Sequence, residues 1–113
     1  MRDHIVTLLT DFGTKDHYVA SMKGVILRIN PHCKVIDITH EIPPQDIFEG
    51  GFVLANAYSY FPEGTVHLAV VDPEVGGKRD PILIVTERYF FVGPDNGIFS
   101  LAIQKERVRE AYL

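Results

Sequence analysis

Asp72 and Arg79 are the residues whose types and spacing point most directly to chemistry. The apolar run Val66 to Val71 stops at Asp72-Pro73, and Gly76, Gly77, Lys78 and Arg79 follow. A carboxylate closing so apolar a segment is costly to bury unpaired. An arginine seven residues on can fold back, keep the carboxylate ionised and orient a water between the two groups. A structural ion pair carries the same signature, so both readings stand. Asp11, which ends the run His4 to Thr10, is the second candidate. A strand-end carboxylate can accept hydrogen bonds from a ribose diol, or it can cap the amides of its own turn. Asp16 has the same pair of readings, as a ligand or as the cap of the helix that follows. His40 closes a third β-prone run, and Asp95-Asn96 sit in the turn Pro94 to Gly97, where their side chains either face a pocket or only shape the turn. His4, His17, His32 and His67 are expected at surface or half-buried positions.

The elements that must position these groups read as alternating strands and helices. HIVTLLT (4–10) is a strand ending at Asp11-Phe12-Gly13. Tyr18, Val19, Met22, Val25, Ile26 and Ile29 recur at helical spacing until Asn30-Pro31 breaks the pattern. KVIDI (34–38) is a second strand, and Pro43-Pro44 bars a helix directly after it. Asp46 is the expected cap of a helix bearing Ile47, Phe48, Phe52, Leu54, Ala55 and Tyr58, in which Gly50-Gly51 either allow close packing or mark a later start. After the turn Phe61 to Gly64 come strands at 66–71, 81–86 and 89–92, the last two forming a hairpin around Glu87-Arg88. A short helix to about Gln104 and a β-like stretch at 108–113 complete the chain. Strand, helix, strand, helix, strand predicts an α/β fold with a mostly parallel sheet flanked by helices. Parallel neighbours would place Asp11, Thr39-His40, Asp72 and Asp95-Asn96 on one rim, where open α/β sheets bind ligands.

Composition narrows the classes. The 113 residues suit one domain, 1–113, with a formal charge of −4 and a pI near 5.6. No basic cluster exceeds Lys78-Arg79, which argues against nucleic acid or an anionic membrane as partner. A single cysteine, Cys33, excludes an internal disulfide and fits a reducing compartment. No apolar run approaches the ~20 residues that span a bilayer, so a soluble, cytoplasmic protein is expected. Asp11-Phe12-Gly13 matches the kinase metal-binding triplet but lacks its context. The Gly76 to Arg79 segment lacks the spacing and hydroxyl of a phosphate loop, and no dinucleotide fingerprint follows the first strand. No HExxH motif or Cys/His spacing supports a metal.

Five blocks then combine: TLLTDFG; MKGVI with INP; VIDITHEIPPQDI; FPEGTVHLAVVDP with VG and Arg79; and FVGPDNG. In this order they closely resemble the S-adenosyl-L-methionine hydroxide adenosyltransferases, relatives of the fluorinating and chlorinating enzymes. The resemblance implies attack of activated water on the 5′ carbon of S-adenosyl-L-methionine (SAM), giving adenosine and L-methionine, with no cofactor and no metal. It implies that Asp11 binds the ribose, that Asp72 and Arg79 belong to an Asp-Arg-His group holding the water, and that Asp16 and Asn96 lie among the substrate-binding positions. Halide-using relatives lack the aspartate at the position of Asp72, which favours water. The family motif reads VDPGVG, and Glu74 replaces its first glycine. The resemblance further implies a homotrimer whose C-terminal β domain and catalytic histidine lie beyond this chain, an apparently truncated N-terminal SAM-binding domain. A non-catalytic nucleoside- or SAM-binding fragment, an assembly subunit, and a metal-dependent nucleotidase are the alternatives.

Overall fold

The computed structural model describes residues 4–72 and 80–113. Its strands are β1 (Ile5–Thr10), β2 (Lys34–Thr39), β3 (Val66–Val70), β4 (Pro81–Thr86), β5 (Phe90–Pro94) and β6 (Val108–Tyr112). The helices are α1 (Tyr18–Ile29), α2 (Ile47–Ala57) and the short α3 (Ser100–Ile103), with a 3-10 turn at Tyr58–Tyr60 extending α2. The strands form one sheet in the order β2-β1-β3-β5-β4-β6. β1 pairs in parallel with β2 and β3, and β3 in parallel with β5, whereas β4 is antiparallel to both β5 and β6. The expected α/β fold with a sheet flanked by helices is therefore present, and the sheet is mixed: β2-β1-β3-β5 is the parallel part, the predicted hairpin adds β4 antiparallel, and β6 pairs antiparallel with β4. β5 runs two residues past the expected Val92, to Pro94, because Pro81 and Ile82 of β4 pair with Pro94 and Gly93.

Alternation along β3 separates two unlike faces. His67, Ala69 and Val71 are buried, while Val66, Leu68 and Val70 are only half-buried. The first set meets α2, whose cap is the predicted one: Asp46 Oδ1 accepts from the Glu49 amide at 3.0 Å. Gly50 and Gly51 lie inside this helix, which settles their role as close packing. A Cβ on Gly50 would come within 3.2 Å of Val71 Cγ2, and one on Gly51 within 2.9 Å of the Ile98 carbonyl oxygen. The core between α2, α3 and the sheet gathers Leu9, Leu54, Tyr58, Ala69, Val71, Phe91, Ile98 and Phe99. On the other face α1 presents an amphipathic pattern, yet none of its described residues is fully buried, and Val25 and Ile29 are 56% and 80% exposed.

His67 departs from expectation. It is wholly buried rather than half-buried, because it shares the inward face of β3 with Ala69 and Val71. Its ring lies among Tyr58, Phe61, Tyr89 and Phe91, with Nδ1 at 2.7 Å from Thr7 Oγ1. Nε2 has no hydrogen-bond partner among the described residues. Burial drives its pKa down from 6.5 to about 4, against the opposing pull of the Tyr58 backbone and Glu106. Nearby, Glu106 is a buried anchor sequence reading passed over. Its carboxylate accepts from Tyr58 Oη at 2.8 Å, from Thr86 Oγ1 at 3.1 Å and from Arg88 Nε at 3.3 Å, and also pairs with Arg88 Nη2. Burial raises the carboxyl's pKa, but Arg88, Tyr58 and Thr86 outweigh it and hold Glu106 below its ordinary value.

Two stability measurements follow. The folded pKa of His67 lies below its unfolded value, so its neutral form stabilises the protein fully above pH 6.5, and that contribution is lost as pH falls towards 4. Urea midpoints between pH 7 and pH 4 should show a loss of about 3 kcal/mol in the wild type that is absent in His67→Phe. The contribution of Glu106 is lost only at lower pH, as its carboxylate becomes protonated. Separately, a Cβ at Gly93 would stand 2.2 Å from the Ala69 carbonyl oxygen and 3.0 Å from Phe99 Cζ. Gly93→Ala should therefore cost about 3 kcal/mol or more in denaturant unfolding, whereas Gly24→Ala, which meets nothing within 4 Å, should be neutral or stabilising.

Candidate functional site

The connection pattern locates the site. From β1 the chain passes through α1 to β2 on one side, then through α2 to β3 on the other side of β1. The strand order therefore reverses between β1 and β3, and in open α/β sheets the crevice outside the carboxyl ends at such a point is where ligands bind. Asp11 directly follows β1, and Asp72 follows Val71 at the end of β3. Thr39-His40 end β2 and Asp95-Asn96 end β5, so the expected common rim exists. Asp11 and Asp72 are both half-buried there. Arg79 and Glu74 lie outside the described residues, and so does the predicted pairing of Arg79 with Asp72.

Asp11 is not a local turn cap. Its Oδ2 accepts from the backbone N–H of Gln45, 34 residues on, at 2.7 Å. Gln45 can aim that amide because its φ is +67°, a left-handed conformation uncommon for a residue with a side chain. Among the described residues Oδ1 takes no hydrogen bond, so one oxygen is held and the other faces outward. Two backbone bonds lock the same pair of loops: Gly13 N–H donates to His40 O at 2.7 Å and Ile42 N–H to Thr10 O at 3.4 Å.

His40 is on the rim as expected, but it is buried. Its Nδ1 lies 2.7 Å from Thr10 Oγ1, and its Nε2 lies 2.8 Å from Asp37 Oδ1. Thr10 Oγ1 also accepts from the Phe12 N–H at 3.2 Å, and Lys23 of α1 donates to Asp37 Oδ2 at 2.8 Å. Burial pushes the Asp37 carboxyl up, but Lys23 and His40 outweigh this and hold it below its ordinary range. The β1–β2 register slips by one residue at this point, Leu8 facing Asp37 and Leu9 facing Thr39. Such an irregularity re-aims side chains near a strand end. Asp37, Thr10, Lys23 and Gln45 were not singled out from sequence. The available signal was the Asp-x-x-His spacing of Asp37 and His40 across the end of β2.

Asn96 works as a strut. Its Nδ2 donates to the Val71 carbonyl at 2.7 Å and its Oδ1 accepts from the Ile98 N–H at 3.1 Å, so it ties the β5 turn to the end of β3 next to Asp72. Asp16 is exposed in the segment before α1 and does not cap that helix. His17 occupies the cap position, with no side-chain capping bond among the described residues. Beside the Asp11 loop an open apolar cleft of about 410 Å³ is lined by Phe12, Tyr18, Met22, Val25, Ile26 and Leu68. Among the described residues no group of three His, Cys, Asp or Glu side chains is arranged to hold a metal ion.

Residues 6–113 match the family model described as the SAM hydroxide adenosyltransferase N-terminal domain. A protein of Methanocaldococcus jannaschii named (R)-S-adenosyl-L-methionine hydrolase is 50% identical over 113 residues, covering 93% of this chain and 43% of the relative. One of the same name from Thermus thermophilus is 44% identical, covering 96% and 42%. A fluorinase of an Actinoplanes species is more distant, at 26% identity over 96% of this chain and 44% of its own. Among solved structures, a conserved hypothetical protein from Thermus thermophilus superposes with a TM-score of 0.89 at 44% identity, covering 97% of this chain and 46% of that one. The chain thus spans less than half the length of these relatives. With a match that runs from the first strand to the last, this chain belongs to the SAM hydroxide adenosyltransferase family, in its N-terminal domain.

Proposed function

We propose that this chain supplies the SAM-binding rim of a hydrolase that converts SAM and water to adenosine, L-methionine and a proton. The observation that carries the reading is the pair of half-buried aspartates at the strand reversal, with Asp11 held through one oxygen by Gln45 and presenting the other. An outward carboxylate oxygen on a fixed loop suits the vicinal hydroxyls of ribose, which donate to it. In the reaction an O–C5′ bond forms as the S–C5′ bond breaks, its electron pair passing to sulfur and turning the sulfonium into the neutral thioether of methionine. The leaving group is already good, so the protein's task is to hold the water in line with the S–C5′ bond. Asp72, one strand from Asp11, is the acceptor for that water in this reading, with Arg79 as its cationic partner. Asn96, by fixing the carbonyl just before Asp72, keeps that carboxylate in place.

Several finer features belong to the same proposal: SAM as substrate with no cofactor, Asp16 as an outer substrate contact, a homotrimer, and a cytoplasmic setting for which the lone Cys33 is the supporting feature. Sedimentation equilibrium tests the trimer.

Calorimetry and chromatography separate the roles of the two aspartates. Asp11→Asn should weaken adenosine binding by about 10- to 100-fold, the loss of a charge-assisted contact. Asp72→Asn should leave adenosine affinity within about threefold while abolishing methionine release from SAM by an active assembly containing this chain. Adenosine binding unaffected by Asp11→Asn would overturn the ribose assignment. Binding in the wild type with no methionine release under any assembly condition would instead favour a domain that only holds the nucleoside.

A further inference from the structure

The Asp37-His40-Thr10 arrangement has the connectivity of a nucleophilic triad, with carboxylate, imidazole and hydroxyl in sequence at 2.8 and 2.7 Å. Its burial argues for a different role. Thr10 is 0% exposed and its oxygen already accepts the Phe12 N–H. A nucleophile has to be presented to a cleft, and this hydroxyl is enclosed at the base of the Asp11 loop.

The proton positions follow from the partners. An ionised carboxylate only accepts, so Nε2 of His40 carries the hydrogen that Asp37 Oδ1 receives. In the neutral ring Nδ1 then accepts from the Thr10 hydroxyl, which itself accepts from the Phe12 amide. A single directed chain results, from the Phe12 N–H through Thr10 and His40 to Asp37, where Lys23 of α1 donates to the second carboxylate oxygen. Each group in this chain has its partner; Thr10 and His40 form its buried part, where a satisfied hydrogen bond is held rigidly, while Asp37 and Lys23 anchor it at the exposed end. One end fixes the backbone immediately after Asp11, and the other is fastened to β2 and α1. The carbonyl of His40 also accepts from Gly13, closing the loop on its far side.

We infer that His40 is a positioning residue for the nucleoside site, holding through Thr10 the backbone that aims the Asp11 carboxylate. This rests on the assignment of Asp11 to ribose and adds what keeps its free oxygen in place before a ligand arrives. Preorganisation of this kind raises affinity by removing an ordering cost that the ligand would otherwise meet.

The test compares Thr10→Val, which keeps the shape and removes the hydroxyl, with Thr10→Ser, which keeps the hydroxyl. Asp37→Ala, on the more exposed end of the chain, serves if Thr10→Val does not fold. Amide hydrogen exchange and adenosine calorimetry are read on the 113-residue chain. Thr10→Val and Asp37→Ala should each speed exchange of the Phe12 and Gln45 amides and weaken adenosine by about tenfold, with Thr10→Ser within about twofold of wild type in both. Wild-type exchange in Thr10→Val or Asp37→Ala would overturn the inference. So would faster exchange with unchanged adenosine affinity, since the network would then be structural only. A wild-type chain that binds adenosine while the variants bind it equally well removes the positioning role alone. A wild-type chain that ignores adenosine removes the ribose assignment, and this inference with it.

Discussion

Because β3 pairs with β1 on the edge opposite β2, the chain must send α1 and α2 to opposite faces of the sheet, leaving the ends of β1 and β3 side by side with no crossover above them. The site depends on this constraint. Had β3 continued outward beyond β2, Asp11 and Asp72 would stand at separated strand ends, each a solitary carboxylate in a turn. The parallel pairing Val6 with Val66 through Thr10 with Val70 brings both strands to the rim at the same height. The alternation along β3 specifies this register, since a slip of one residue would carry His67 and Ala69 off the buried face.

The rim itself is braced from below and from the side. Gly93 lets β5 pass against the Ala69 carbonyl, and Asn96 then reaches back to Val71, so the end of β3 is held by its neighbour rather than by its own turn. Asp11 is braced in the same manner by Gln45 of the loop between β2 and α2. In both cases a long-range backbone-to-side-chain bond fixes what a local turn could not. The non-glycine residue at φ +67° is the local conformational cost of that arrangement.

Much of this was legible in the sequence. Apolar runs ended by Asp-Phe-Gly and Asp-Pro marked β1 and β3, the helical spacing from Tyr18 to Ile29 matched α1 residue for residue, and Asp46 was the cap its type suggested. The common rim also followed, since it needs only strand order and parallel pairing. Partnerships across the chain were not legible. Nothing near Glu106 announces that it will be buried against Arg88, Tyr58 and Thr86, because those neighbours come from two remote parts of the chain, the turn after α2 and the β4–β5 hairpin. Asp11 and Gln45 are equally remote. His67 was misjudged by residue type, although its parity with Ala69 and Val71 along β3 already turned it inward. Asp37 was overlooked because a charged residue in an edge strand usually faces water, and here the slip in register and Lys23 give it a second task.

The unequal cover of the sheet's two faces bears on how a ligand would be received. The α2 side is packed as a core, so motions there require the whole domain to open. The α1 side has helix residues in contact with solvent and an apolar cleft beneath them, and a segment with so little buried surface sits at the low end of local stability. Its first turn adjoins the Asp11 loop, and Lys23 links it to the rim network. Backbone amides of α1 should therefore exchange through local opening while those of the α2 side wait for global unfolding, so that the two faces of one sheet open at different free energies.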